Sequence, residues 1–349
     1  MMSITMKDIA KIAGVSTNTV SRALNNKPEI NKETRRRIIE IAKKLNYTPN
    51  SIAASLASNK TKTIGLVIPD ITDPFFAQQA RGIEDTARAK GFSVIVINTD
   101  ENSETELKAV NTFRSIRVAG IILTSVFSGT QHIKLLQEQQ IPFVLLNRWS
   151  PVFDTDYVIN DNVAGAYEAT KHLINRGHTR IAFITGIPEI TSVQERLKGY
   201  KQAFKEGNLP ILENLIVNTE SLDPQSGKVH AEQLLAIKPR PTAILAYCDL
   251  LALGVYTAVK ESNLSIPEDI ALVGYDDIPF SAFFEVPLTT VAQPAYQMGL
   301  TACDILVERI KAVREENGEE NKSDALKKQI VFKPQLIVRK SCGACLNKS

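Results

Sequence analysis

The stretch that decides the fold is Thr5-Met6-Lys7-Asp8-Ile9-Ala10-Lys11-Ile12-Ala13-Gly14-Val15-Ser16-Thr17-Asn18-Thr19-Val20-Ser21-Arg22. It has the spacing of two short helices around a tight turn, the sequence form of a helix-turn-helix. Thr5, with Asp8 three residues on, makes a capping-box pattern that starts the first helix. Ile9, Ala10, Ile12 and Ala13 give that helix a small apolar face. Gly14 suits the positive φ that a break between helices needs, and Val15 turns inward. Ser16 is placed to cap the second helix by taking an orphan amide. Val20, Ala23 and Leu24 follow at i, i+3, i+4 and face a core. Thr17, Asn18, Ser21 and Arg22 then point the other way, where a recognition helix carries the side chains that reach base edges and phosphates. Arg22 can grip guanine with two prongs and Asn18 can do the same to adenine.

Working outward, Asn31 caps a third helix lined by Ile38, Ile41, Ala42 and Leu45, with Pro49 marking its limit. Three helices close a core where two cannot, so residues 1–49 read as one head. Residues 1–60 hold eleven Lys and Arg against four acids, while the whole chain carries a net charge of +3. The remainder is therefore slightly acidic. A small basic head on such a body is the electrostatic footprint of a phosphate-binding module. The segment Asn50-Ser51-Ile52-Ala53-Ala54-Ser55-Leu56-Ala57-Ser58 is a small-residue helix too short to persist alone. It folds when something docks on it. Leu56 is the apolar side chain that could wedge between base pairs in a minor groove.

A chain of 349 residues carries several domains. No run of about 18 apolar residues is present, so no membrane span is expected. The N-terminus shows no hydrophobic signal core. Four cysteines, Cys248, Cys303, Cys342 and Cys345, without such a signal suit a reduced cytoplasmic setting. After Lys62 the pattern alternates strand and helix. β-rich runs fall at Thr63–Pro69, Phe92–Asn98, Gly120–Ser125, Phe143–Leu146, Arg180–Thr185, Thr242–Ala246 and Ile270–Gly274. This is parallel α/β architecture with right-handed crossovers, and its length calls for two lobes, with a break near residues 160–162. Ligands in such sheets bind beyond the carboxyl ends of the strands. The polar groups placed there are Asp73, Asn147, Arg148, Gln194, Glu195, Arg196, Asp249, Asp276 and Asp277, with Cys248 beside them. Carboxylates and an arginine can each take two hydroxyls at once, and Phe75 or Phe76 could stack on a sugar face.

At this point the chain resembles the lactose/galactose-repressor (LacI/GalR) family of bacterial transcription regulators. The resemblance is carried by KDIAKIAGVSTNTVSRALN (7–25), LNYTPNSIAASLAS (45–58), TIGLVIPDITDPFFAQQARGIE (63–84), IALVGYDD (270–277), PLTTVAQP (287–294) and PQLIVRKS (334–341), in that order. It implies a three-helix helix-turn-helix head, a hinge helix at 50–61, and a two-lobed, type I periplasmic-binding-protein-like effector domain. The first lobe would be 62–160 and 294–325, the second 161–293 and 326–340, with a flexible tail at 341–349. It implies a homodimer on double-stranded, palindromic operator DNA. The DNA-facing residues would be Thr5, Ser16, Thr17, Asn18, Ser21, Arg22 and Asn25, with Ser55, Leu56 and Ala57 from the hinge. A small sugar-like effector would sit between the lobes, against Asp73, Phe75, Phe76, Asn147, Arg148, Arg196, Leu222, Cys248, Asp249 and Asp276. Arg196 and Asp276 match the family's most persistent effector contacts.

Three positions depart from the family pattern. Ala57 stands where some members have Lys. Leu222 stands where the cleft often has an aromatic ring. Ile190 stands where purine-responsive members carry an extra Arg, which disfavours a purine and leaves a sugar or sugar phosphate.

No phosphate loop, dinucleotide fingerprint, nucleophile elbow or zinc-protease motif is present. His132, His172, His178 and His230 show no ligand spacing, and Cys342 and Cys345 read as an incidental tail pair. No cofactor, metal or enzymatic activity is therefore expected. The rival reading is a soluble solute-binding or sugar-processing protein with an unrelated helical N-terminus. The missing export signal and catalytic motifs argue against it.

Overall fold

The computed structural model describes residues 4–24, 29–45, 47, 61–124, 131–316 and 326–343. The chain divides into two compact units, residues 1–61 and 62–349.

The first unit holds α1 (Met6–Ala13), α2 (Thr17–Leu24) and α3 (Lys32–Lys44). Its core is Ile9, Ala10, Ala13, Val20, Ala23, Ile38 and Ala42, with Val15, Leu24, Ile41 and Leu45 packed against it. Ile12 is an exception to the expected apolar face: it is 59% exposed. In an eight-residue helix the stripe covered by two neighbours is narrow, and Ile9, Ala10 and Ala13 already fill it. Gly14 takes the left-handed conformation at φ 64°, where a Cβ would be strained, and its N–H closes on Ala10 O.

The second unit has two α/β lobes of the same design. The first lobe builds β1 (Thr63–Ile68), α4 (Pro74–Ala89), β2 (Ser93–Asn98), α5 (Ser103–Ser115), β3 (Gly120–Leu123), α6 (Gln131–Glu138), β4 (Phe143–Leu146) and β5 (Tyr157–Asn160). The second builds α7 (Asn162–Asn175), β6 (Ile181–Ile184), α8 (Thr191–Glu206), β7 (Ile216–Val217), α9 (Pro224–Ala236), β8 (Ala243–Ala246), α10 (Asp249–Glu261), β9 (Ala271–Asp276) and β10 (Thr289–Ala292). Then α11 (Ala295–Glu316) returns to the first lobe, packing on α4, β3, β4 and β5. The facing glycines Gly82 and Gly299 let α4 and α11 touch backbone to backbone; a Cβ on either would collide with the opposite helix.

The last two strands are β11 (Gln329–Phe332) and β12 (Gln335–Ile337). Among the described residues each sheet has six strands, ordered β2-β1-β3-β4-β5-β11 and β7-β6-β8-β9-β10-β12. Pairing is parallel except between β10 and β12. The β1/β3 and β6/β8 boundaries are the switch points of a doubly wound sheet, so both lobes open their strand ends toward ligands.

The strand-rich runs read from the sequence all contain strands, but five strands escaped them: β5, β7, β10, β11 and β12. All are two to four residues long. The segment 326–340, assigned whole to the second lobe, is divided. β11 pairs with β5 in the first sheet and only β12 joins the second. The tail assignment also needs correcting at its start. Ser341 Oγ donates to Leu272 O at 2.6 Å and accepts the Thr289 N–H at 2.8 Å, so residues 341–343 are stitched to the second lobe. Cys342 is buried there, with its Sγ 3.2 Å from His172 Nε2 and bonded by Thr289 Oγ1 at 3.1 Å. Residues 344–349, the polar loop at 317–325 and the hinge positions 50–60 lie outside the described residues.

Candidate functional site

The first candidate face is the outside of α2. The turn that presents it is fixed by caps. The Thr5 N–H donates to Asp8 Oδ2 at 2.8 Å, the Asp8 N–H returns to Thr5 Oγ1, and this hydroxyl holds the Asp8 carboxyl below its ordinary range. Ser16 Oγ accepts the Thr19 N–H at 3.1 Å. With both helix starts satisfied, α2 turns Val20 and Ala23 inward and leaves Thr17, Asn18 and Arg22 exposed, with Ser21 half-buried beside them. Thr5 and Ser16 are exposed at the helix starts, where their hydroxyls serve the caps. Asn25, Ser55, Leu56 and Ala57 lie outside the described residues.

One basic residue works differently from its place in the charge count. The Arg37 Nη2 donates to Ala13 O at 2.7 Å, so a guanidinium on α3 closes the C-terminus of α1. The cation sits at the negative end of the helix dipole. Nothing in the sequence pattern separates it from Arg35 and Arg36, because the carbonyl it meets is 24 residues away.

The second candidate site lies where the two lobes meet. Arg196 on α8 is buried and its guanidinium stacks on the ring of Tyr275, 3.5 Å from the centroid, and on Tyr247 at 4.2 Å. Its Nε donates to Asn162 Oδ1 at 3.0 Å and Nη1 donates to Tyr247 O at 2.5 Å. Nη2 lies 3.9 Å from Asp276 Oδ1. The Asp276 carboxylate also accepts from Gln293 Nε2 at 2.5 Å, and Gln293 in turn bonds Asn160. Asn160 ends β5 and Gln293 directly follows β10, at two of the places where the chain passes between lobes, so Asp276 is wired into the hinge. Asp276 itself ends β9 at φ 111°, a backbone conformation that an L-residue adopts only under constraint.

From the first lobe, the Trp149 Nε1–H donates to Glu195 Oε1 at 2.7 Å, and Asn162 Nδ2 donates to Glu195 Oε2 at 2.9 Å. Asn147 ends β4 in the left-handed conformation at φ 68°, and its side-chain amide makes no hydrogen bond among the described residues. Asp73 caps α4 by accepting the Phe75 N–H at 2.9 Å. Burial pushes its carboxyl up to about 6, against that hydrogen bond, and Asp70 and Glu101 add to the rise. Burial likewise drives Asp276 well above the carboxylate range; Arg196 pulls it back, and Asp73 pushes it further up.

Arg196 and Asp276 come together at this junction, with Asp73 close enough to act on the Asp276 charge; Asn147 is buried at the end of the neighbouring strand β4 with no contact to them shown among the described residues. Others named from the sequence do different work. Arg148 is 1% exposed and pairs two-pronged with Glu101, at 2.7 and 2.5 Å. Asp249 is fully buried: Oδ1 accepts from Thr290 Oγ1 at 2.6 Å, and Oδ2 accepts from the Ile278 N–H at 3.0 Å and Ser281 Oγ at 2.5 Å. It braces the loop after β9 rather than offering oxygens to a ligand, and burial raises its carboxyl to about 7. Phe75 and Phe76 are packed edge to face with centroids 5.3 Å apart, in a cluster with Ile278, Ala295 and Leu250 that joins the two lobes. Cys248 is a buried thiol, pushed up by that burial, and Leu222 packs on the second-lobe core.

The residues that sequence reasoning missed are Trp149, Asn160, Asn162, Tyr247, Tyr275 and Gln293. Tyr247 directly follows β8, and Trp149 and Asn162 lie within three residues of the ends of β4 and β5, which is a usable signal. Gln293 closes β10, a strand that was not foreseen.

With this geometry in hand, comparison with known proteins is decisive. Residues 61–335 match the family described as periplasmic binding proteins and sugar binding domain of LacI family, and residues 5–50 match that described as bacterial regulatory proteins, lacI family. The chain belongs to the LacI family: it is a helix-turn-helix transcription regulator and not an enzyme.

Among its relatives, the HTH-type transcriptional regulator DegA of Bacillus subtilis (strain 168) is 37% identical over 343 residues, covering 97% of this chain and 98% of that one. The HTH-type transcriptional repressor PurR of Aliivibrio fischeri (strain MJ11) is 36% identical, covering 88% and 92%. A Lac repressor dimer solved with operator and the anti-inducer ONPF superposes with a TM-score of 0.85 at 27% identity, covering 98% and 99%. Among the described residues no helix is long and apolar enough to cross a membrane.

Proposed function

We propose that two copies of this chain bind a palindromic operator in the cytoplasm and repress transcription, under the control of a sugar-like effector held between the lobes. Thr17, Asn18, Ser21 and Arg22 read the major groove, with Thr5, Ser16 and Asn25 at its edges. Ser55, Leu56 and Ala57 form the hinge that folds on the minor groove. Asp73, Asn147, Arg196 and Asp276 take the effector's hydroxyls, and Trp149 and Glu195 border it. Effector binding favours one lobe arrangement over another, and that population shift sets whether the two heads of the dimer match the operator spacing. The exposed apolar side chains Ile95 and Val96 on β2, with Phe280 and Phe283 on the second lobe, supply surface for the second copy. Ile190, which replaces the additional Arg of purine-responsive members, is fully buried in the second-lobe core and supports a sugar rather than a purine.

The observation that carries this reading is the exposed Thr17-Asn18-Arg22 face joined, in one chain, to the Arg196–Asp276 junction. A mobility-shift assay with a pool of palindromic duplexes tests it. Specific retention that weakens steeply with log salt is expected, because each neutralised phosphate releases counterions. Absence of retention at low salt would sink the proposal.

A further inference from the structure

We propose that Arg339 is a positioning residue of the effector site: by gripping Asp277 it holds the neighbouring Asp276 against Arg196 and Gln293. This rests on reading the junction between the lobes as that site. The need for a grip comes from the backbone. Asp276 and Asp277 follow one another at φ 111° and 55°, and neither is glycine. Residues with side chains persist in such conformations where their surroundings over-determine them. The direction of the Asp276 carboxylate depends on that backbone, because the side chain leaves the constrained Cα. The far side of the turn is held by Asp249, whose Oδ2 accepts the Ile278 N–H at 3.0 Å and the Ser281 hydroxyl at 2.5 Å. Asp277 itself is held by other groups. Its N–H donates to Thr290 Oγ1 at 3.4 Å, a long bond. Its carboxylate accepts from Arg339 Nη2 at 2.7 Å, a charge-assisted bond of full strength.

Arg339 can serve because it is itself fixed. Its own N–H donates to Thr289 Oγ1 at 2.9 Å, and Nη1 donates to Leu288 O at 2.8 Å. Two residues before it, β12 ends its antiparallel pairing with β10; two residues after it, Ser341 ties Leu272 to Thr289. The guanidinium therefore spans from the entry of β10 to the turn after β9, across 62 residues of sequence. One planar group serves both acceptors, Leu288 O and the Asp277 carboxylate, and a lysine cannot reproduce that fork. A plain brace for the C-terminal segment and a positioning residue make different demands. Loss of a brace lowers the stability of the lobe. Loss of a positioning residue loosens the turn and weakens ligand binding while the lobe stays folded, since β12, Ser341 and Cys342 still hold the segment.

The test uses the full chain as wild type, R339Q, R339K, D277N and the R339Q/D277N double variant. D277N keeps a residue type that tolerates positive φ and removes the charge. Hydrogen exchange at the amides of Asp277, Ile278 and Ser281, read against those of β6 and β8, reports the turn without any ligand. It should speed about tenfold in R339Q, less in D277N, and little further in the double variant, because both changes act on one bond. The amides of β6 and β8 should exchange as in wild type. Fluorescence of Trp149, the single tryptophan of the chain, titrated with glucose, fructose, ribose and cellobiose reports the site. A sugar that binds wild type should bind R339Q about tenfold more weakly, with R339K between the two. Unchanged exchange at the turn in R339Q, effects of R339Q and D277N that multiply, or full sugar affinity in R339Q each overturn the inference. D277N decides in the same way if R339Q does not fold. A wild type that answers none of these sugars contradicts the sugar reading of the junction, and the role given to Arg339 with it; the exchange experiment alone then shows whether the grip on the turn exists.

Discussion

The outer face of α2 and the junction between the lobes are both polar surfaces, and they are built in opposite ways. On α2 the functional side chains are exposed, and the hydrogen bonds nearby belong to the caps that hold the helix in place. At the junction the side chains are buried or half-buried and linked in a chain: Trp149 with Glu195, Glu195 with Asn162, Asn162 with Arg196, Asp276 with Gln293. The difference fits the partners. DNA brings a dense row of phosphates and base edges to a surface that waits in water. A small ligand must be recognised by a few atoms, so the site that takes it has to be organised beforehand and has to report its occupancy through bonds that span the hinge.

The sharpest way to break this comparison is to remove the best-connected group at the junction. Asp276→Ala should cost about 3 kcal/mol in effector binding, because it removes the buried carboxylate proposed to take the effector's hydroxyls. Effector titration of Trp149 fluorescence would show it, with operator affinity kept in one state. Arg22→Ala, on the exposed face, should weaken operator binding by about 1–3 kcal/mol and relax base preference at one position, seen by mobility shift.

The third test uses pH. Asp73 is raised to about 6 from its ordinary value of 3.8. A raised carboxyl binds its proton more tightly in this lobe arrangement than in one that exposes it to water. This arrangement is therefore favoured as pH falls from about 6 toward 4, and the advantage fades as pH rises through 6. Unliganded Trp149 emission followed across that range should change on acidification, and D73N should flatten the change. The smallest effect is expected at Arg37→Ala. Loss of the bond to Ala13 O should destabilise the head by about 1 kcal/mol, measurable as faster hydrogen exchange at the α1 amides.

The same contrast explains how much could be read from sequence. The head was legible because its logic is local. Thr5 meets Asp8, Ser16 meets Thr19, and Val20 sits one turn from Ala23 and Leu24. Ile12 misled because the width of the covered stripe depends on helices elsewhere in the chain. The strand-and-helix alternation of the body was legible from β-rich runs, yet β10, β11 and β12 were too short to stand out, and with them went the route of 326–340. At the junction, strand ends pointed to Arg196 and Asp276, which lie side by side, and to Asp73, whose charge Asp276 feels. The partners that decide their roles were out of reach: Asn160 meets Gln293 across 133 residues and Trp149 meets Glu195 across 46. Asp249 and Arg148 looked like ligand contacts because a carboxylate bracing a loop and one awaiting a hydroxyl are the same letter.

The most direct trial of a DNA reader commanded by a hinged sensor is a side-by-side titration of wild type, Arg22→Ala and Asp276→Ala with one selected operator and one effector sugar. Wild type should bind the operator and change its affinity with the sugar. Arg22→Ala should lose operator affinity while its Trp149 signal still follows the sugar, and Asp276→Ala should hold the operator while ignoring the sugar. If Arg22→Ala binds as wild type does, or Asp276→Ala answers the sugar normally, the two surfaces do not have the roles assigned to them.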